Sequence, residues 1–212
     1  MTISTRGHSI LVPPGISVKP IVEAAIRVGA DEVGAFEGAE RATANLRLEY
    51  SMDAGRYEIA SFGIDRGDLP LEVSGALWRT VRVHAIASIA ISRALPLWTI
   101  PLSVLRQRRT AGTLTGPVDF HPTDESTLLL TAVTYRIAEI SSETPALAVA
   151  ETMGLKQRTA TNWIARARAA GHMSITLDQD GARRATLDLG QRLGLEEDSE
   201  ESTTSGAAHG HD

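Results

Sequence analysis

Gln157, Arg158, Thr161 and Asn162 recur at the spacing that gathers side chains on one side of an α-helix. They carry two carboxamides, a guanidinium and a hydroxyl, a set of donors and acceptors suited to the edges of base pairs. Arginine matches the two acceptors of guanine, and asparagine or glutamine matches the acceptor and donor of adenine. Ala165 and Ala169 continue the same side without bulk, so nothing there would hold the helix off a groove floor. Lys156, Arg166 and Arg168 stand where phosphate contacts are expected, which position a protein without reading sequence. From Leu155 to Gly171 there are four cations and no carboxylate, although the chain of 212 residues has a formal charge of −5. The competing reading is a solvated basic face on an ordinary helical hairpin.

Three helical patterns must position these groups. Asp124 to Ile140 places Leu129, Ala132, Val133, Ile137 and Ile140 near one face, with Asp124 and Glu125 suited to the N-terminal dipole. Ser141-Ser142 interrupts it. Thr144-Pro145 is a start signal, threonine as N-cap and proline at the first helical position, for a short apolar helix through Leu147, Val149, Ala150 and Met153. Gly154 supplies the residue that takes positive φ most easily at a tight helix stop. The third helix is expected from Lys156 or Gln157 to Ala170, closed by Gly171, with an apolar stripe of Ala160, Trp163, Ile164 and Ala167 at i, i+3, i+4 and i+7. Small Ala150 lets two helices approach, and Gly154 turns the chain four residues later. This is the anatomy of a helix-turn-helix.

The run LTAVTYRIAEISSETPALAVAETMGLKQRTATNWIARARAAGHM resembles the helix-turn-helix segment of DNA-binding proteins from actinobacterial genomes and their phages. The shared pattern is a Tyr-Arg pair in the first helix (Tyr135-Arg136), then Pro145, an AVAE helix (Ala148 to Glu151), an R-TA--W helix (Arg158 to Trp163) and a closing AR--G (Ala167 to Gly171). The hairpin and the Arg79-to-Leu95 region are similar to the N-terminal half of such proteins. The resemblance implies DNA binding. It implies no target sequence, because the position of Asn162 varies in the general pattern.

Charge along the chain is segregated. Glu196 to Asp212 holds six acids and no base, so residues 1–195 hold 20 acids against 21 bases. Ala76 to Val118 holds six arginines and no acid. Local sign of this kind matters more than the sum when the partner is a polyanion. With no cysteine, disulfides and thiolate metal sites are excluded. The apolar patch Ile10 to Val12, broken by Pro13 and Pro14, is too short for a signal peptide. The segment Ala85 to Ile91 falls far short of the ~20 residues that span a bilayer. A cytoplasmic protein without membrane attachment is expected.

The fold class expected is α+β. Pro20 is read as opening a helix, IVEAAIRVGA, with Ile21, Val22, Ala25 and Ile26 at helical spacing and Gly29 near its end. Leu46, Leu48, Tyr50 and Met52 alternate with polar residues, Asp53-Ala54-Gly55 is a turn, and Arg56 to Ile64 is a second strand. Ser74 caps a short helix around Ala76 to Arg79, and His84 to Leu95 makes another. The arginines of this stretch are expected to spread over two helix faces and pair with the acidic first seventy residues, the alternative being a second nucleic-acid surface.

Thr110 to Thr123 reads as a linker. The expected division is therefore an N-terminal α+β domain at 1–109, a linker at 110–123, a helix-turn-helix domain at 124–190 and a disordered acidic tail at 191–212. After Gly171, His172 to Leu177 and Ala182 to Leu187 suit a two-stranded wing, with Arg183 and Arg184 placed for phosphates, or an irregular extension.

These readings converge on sequence-specific binding of double-stranded DNA by a transcriptional regulator. The N-terminal domain is expected to supply dimerisation or partner binding, and a homodimer is expected because one such motif gives little contact and two-fold pairing doubles it. Alternatives are an accessory DNA-binding protein of a phage or mobile element, acting in replication or partition, and a protein–protein adaptor using the same helices. An enzyme is not expected. The sequence has no phosphate-binding glycine loop, nucleophile elbow or HExxH, and His84, Asp119 and His121 do not form a catalytic spacing. No metal, cofactor or catalytic residue is expected. His209 and His211 belong to the tail.

Overall fold

The computed structural model describes residues 1–27, 42–68, 75–114, 118–173 and 179–195. The chain is of the α+β class: an N-terminal antiparallel sheet followed by helices. The expectations for Gly29, Ser74 and the tail from Glu196 fall outside the described residues.

Strands β1 (Thr2–Arg6), β4 (Ile21–Arg27), β5 (Thr43–Ser51) and β6 (Arg56–Asp65) form one antiparallel sheet in the order β1-β4-β5-β6. Strands β2 (Ile10–Val12) and β3 (Ile16–Val18) form a separate hairpin between β1 and β4. The hairpin of β5 and β6 is as expected, with Gly55 at φ 67° in its turn. A register shift opposite Arg47 and Leu48 leaves Ala60 of β6 without a partner, a β-bulge.

The helix expected after Pro20 is instead strand β4. Val22, Ala24 and Ile26 are buried and Ile21, Glu23 and Ala25 less so, a period of two. The seven-residue segment IVEAAIR satisfies both periods, so periodicity alone does not separate them. The neighbours decide: β4 pairs Ile21–Arg27 with β5 and Ile21–Ala25 with β1, so its backbone groups have partners on both sides.

Helices α1 (Gly75–Thr80) and α2 (Val83–Ala94) come next in the chain. Helix α2 lays Ile86, Ala87, Ala90 and Ile91 on the buried face of the sheet, formed by Val22, Ala44, Leu46 and Leu48. After a single 3-10 turn at Leu97–Thr99 comes α3 (Ile100–Thr110), and the segments Val83–Ala94 and Leu97–Thr110 meet at 113°. Pro96 ends α2, but Pro101 does not break α3. It sits in the first turn of that helix, where its missing N–H has no intrahelical acceptor to lose. Among the described residues no single helix is long and apolar enough to cross a membrane.

Helix α4 (Glu125–Ile140) is the axis of the helical part, packed against α5 (Pro145–Met153), α6 (Gln157–Ala169) and α7 (Gln179–Arg192). It is buried on more than one face: Leu128, Leu130, Ala132, Val133 and Ala138 all lie inside. Buried Thr131 and Thr134 satisfy their hydroxyls by donating to the Thr127 and Leu130 carbonyls at 2.8 Å each.

Helix α7 replaces the second wing strand. Ala182, Ala185, Leu189 and Leu193 are buried at a spacing of three and four, and they pack the helix on α3 and α4. The first proposed wing strand falls partly outside the described residues. Helix α3 packs on α5 and α7, and one contiguous core runs from the sheet through α2 and α3 to α7.

Candidate nucleic-acid interface

Helix α6 is positioned by α5 and the turn before it, and it packs on α4 and α5. Thr144 precedes α5 with extended backbone (φ −81°, ψ 106°), and its carbonyl accepts from Ala148 N at 3.0 Å, although its hydroxyl makes no capping bond. Pro145 opens the helix. Gly154 ends it in the left-handed region (φ 69°, ψ 39°), and Leu155 N returns to the Ala150 carbonyl at 2.8 Å. That closure satisfies a carbonyl that the helix end would leave orphaned, and half-buried Leu155 packs on the core beside it. Two residues later α6 begins.

Ala160, Trp163, Ile164 and Ala167 of α6 are buried against α4 and α5. Each of Gln157, Arg158, Thr161, Asn162, Ala165 and Ala169 is exposed, as are Lys156, Arg166 and Arg168. The candidate base-reading residues therefore share one solvent-facing side. Among the described residues, Lys156, Arg158, Arg166 and Arg168 make no ion pair with a carboxylate.

Two of these side chains are constrained in ways the sequence does not convey. The Thr161 hydroxyl donates to the Gln157 carbonyl at 3.0 Å, so toward a ligand it offers an acceptor oxygen and a methyl group. Arg168 places Cζ 5.9 Å from the centre of the Tyr135 ring, within range of a cation–π contact. Burial and the neighbouring Glu139 push the Tyr135 phenol up, and Arg168 draws it down.

Arg183 and Arg184 do not sit on a wing. Both are exposed on helix α7, and Arg184 Nε donates to the Asp180 carbonyl at 3.2 Å. His121 Nε2 is 3.9 Å from Asp119 Oδ2 on an exposed loop, while His84 lies on α2.

The basic run at the end of α3 has a role that departs from expectation. Arg106 does not reach the first seventy residues. It pairs through Nη1 with Glu143, just before α5, and through Nε with Glu151 of α5 at 2.7 Å. Arg108 Nη1 donates to the Leu193 carbonyl at 3.0 Å. Arg109 lies against the turn at Gly154, its Nε buried without a hydrogen-bond partner among the described residues, and burial lowers its pKa.

On the far side of α4, Arg136 Nη2 donates to the Tyr50 hydroxyl at 3.0 Å, and its Nη1 pairs with Glu139 at 3.0 Å. Adjacent residues Tyr135 and Arg136 thus connect α6 with the β5–β6 hairpin. Arg106, Arg108 and Arg109 count among the six arginines of the acid-free stretch, but the carboxylate partners of Arg106 lie 37 and 45 residues away. No local spacing links them.

No family model, no curated protein and no solved structure matches this chain.

Proposed function

We propose that α5, the Gly154 turn and α6 form a helix-turn-helix, and that the protein binds double-stranded DNA sequence-specifically as a transcriptional regulator of the cytoplasm. In this reading the N-terminal half of α6 enters the major groove. Gln157, Arg158 and Asn162 read base edges, and Thr161 adds an acceptor and a methyl contact. Lys156, Arg166 and Arg168 meet phosphates on either side.

The observation that carries this reading is the exposed face of α6. Four polar residues able to read bases stand beside two alanines, on a helix whose opposite stripe is buried and whose cations have no carboxylate partners among the described residues. A merely solvated helix has no need to keep four cations clear of anions in a chain with net negative charge. Arg183 and Arg184, on α7, would contribute at most at the edge of the footprint.

Selection of bound sequences from a random duplex pool tests the proposal. Enrichment of a defined motif, lost when Arg158 and Asn162 are both replaced by Ala, supports it. A palindromic motif supports the homodimer, with half-sites about one helical turn or a multiple apart. Failure to enrich any motif, or enrichment unchanged by the double substitution, would sink the reading.

A further inference from the structure

A cavity of about 400 Å³ lies between α2, α3, α4 and α5, and the proposed DNA reading does not use it. This volume lies within the range of small-molecule pockets. Its walls include Leu95, Leu102 and Ile137, and Ala148 and Thr152 bring α5 into its lining.

Most of the polar lining has one sense, with the Gln107 carboxamide as the group that can also donate. Ser92, Thr99, Ser103, Thr110 and Thr134 all line the cavity, and each donates its hydroxyl hydrogen to a carbonyl of its own helix or turn, at 2.7 to 3.1 Å. Toward the cavity these hydroxyls therefore present acceptor lone pairs. The charged group in the wall is the Arg106–Glu143 pair. Arg106 is shared with a second carboxylate, Glu151, so one guanidinium serves two anions. Among the described residues, Glu143 Oε1 receives a single long bond, from Ser88 Oγ at 3.4 Å. An apolar space edged by acceptors and an under-satisfied carboxylate fits a ligand with an apolar body and a donor-rich cationic end. An ammonium group has three donors and no acceptor. An anion would meet acceptors and a guanidinium already engaged by two carboxylates.

We propose that this cavity is a binding site for amphiphilic amines, and that its occupancy loosens the tie between α3 and α5. The ammonium takes Glu143 from Arg106 while the apolar body lies on Leu95, Leu102 and Ile137. Helix α5 carries Glu151 and ends at the turn into α6, so a shift of α5 reaches the exposed face of α6. Only this coupling rests on the DNA-binding reading; the site itself stands without it.

The test is calorimetric titration of the full chain with three ligands of matched shape: 4-phenylbutylamine, 4-phenyl-1-butanol and 4-phenylbutyrate. The amine is expected to bind saturably and about tenfold tighter than the carboxylate, one charge-assisted contact being worth that factor. Ser92 and Ser103 are exposed at the rim, so Ser103→Phe, or Ser92→Phe if the first unfolds, plugs the cavity without touching the core. Either plug should abolish binding with the thermal transition retained, and Glu143→Gln should remove the preference for the amine. Absence of saturable amine binding, equal or tighter binding of 4-phenylbutyrate, or binding unaffected by a folded plug variant overturns the site.

In the second arm, saturating amine should weaken binding to the selected duplex by about tenfold. Unchanged DNA affinity with the amine bound overturns the coupling. Amine binding in a protein that selects no duplex at all supports the site and counts against the DNA reading instead.

Discussion

The guanidinium of Arg109 lies against the turn at Gly154, so that a Cβ built on that glycine would stand 2.8 Å from Arg109 Cζ. Gly154 therefore meets two demands: a left-handed backbone at φ 69° and close approach of a side chain from α3. Gly154→Ala should destabilise the protein by about 1–2 kcal/mol through the backbone alone, with an added cost for moving the guanidinium. Arg109→Ala should relieve the second part and not the first. A double-mutant cycle in denaturant should accordingly show that the two substitutions together cost less than their sum. Strict additivity would mean that the close approach has no energetic weight.

Base reading and phosphate contact should separate in mutants of α6. Arg158→Ala and Asn162→Ala should each weaken binding to the best site by ~1–3 kcal/mol and relax specificity at one position. Arg166→Ala should weaken all sequences alike and reduce the slope of log K against log salt by about 0.9. Thr161→Val should change specificity less than Asn162→Ala, because the Thr161 hydrogen is already donated to the Gln157 carbonyl. Titrations at several salt concentrations with matched and mismatched duplexes check all four.

Arg168 should behave differently from Arg166. Its contact with Tyr135 gives it a structural share, so Arg168→Ala should lower folding stability by roughly 0.5–1 kcal/mol in addition to any phosphate effect. Arg166→Ala should leave the unfolding midpoint nearly unchanged. Equal unfolding curves for the two variants would remove the distinction.

Arg106 carries the link between α3 and α5. Its side chain and both partners are about one-third exposed, which limits each pair to the range of partly screened ion pairs, ~1 kcal/mol or less. Arg106→Ala should exceed Glu151→Gln in cost, because it leaves two carboxylates without their shared cation. The difference should shrink as salt is raised. Denaturant midpoints at low and high ionic strength measure it.

Tyr57 sets a stability limit at high pH. Its hydroxyl donates to the Lys19 carbonyl at 2.6 Å, and its ring stands edge-on to Tyr50 with centres 5.4 Å apart. Burial pushes its phenol from 10.0 up to about 12. Between those values the unfolded chain loses the proton while the folded chain keeps it, so stability present below pH 10 falls as pH rises through 12. The loss amounts to about 2–3 kcal/mol at 1.36 kcal/mol per unit. Tyr57→Phe should cost about 1 kcal/mol at neutral pH and flatten this alkaline limb. Absorbance titration of the phenolates together with unfolding curves from pH 9 to about 12 checks both.

Much of the candidate site was legible because it is local. Thr144-Pro145, Gly154, the stripe Ala160, Trp163, Ile164 and Ala167, and the closing Gly171 each act within a few residues of themselves. Their periods and caps follow from backbone sterics. The β5–β6 hairpin was legible for the same reason. Helix α7 was missed although Ala182, Ala185, Leu189 and Leu193 show helical spacing, because the turn-like Asp178-Gln179-Asp180-Gly181 invited a hairpin reading.

What the sequence by itself determined is the succession of short-range elements from α4 to α6 and the residues on the polar side of α6. Tertiary structure decided the rest. Ile21–Arg27 became a strand because β1 and β5 supply hydrogen-bond partners on both sides, which an isolated apolar run cannot choose. Arg106, Arg109 and Arg136 became ties between elements because carboxylates, a glycine turn and a tyrosine from distant parts of the chain meet them in the fold. Local sterics and periodicity act over a few residues and are written in order along the chain. Partners separated by dozens of residues are brought together only when burial of the common core selects one packing.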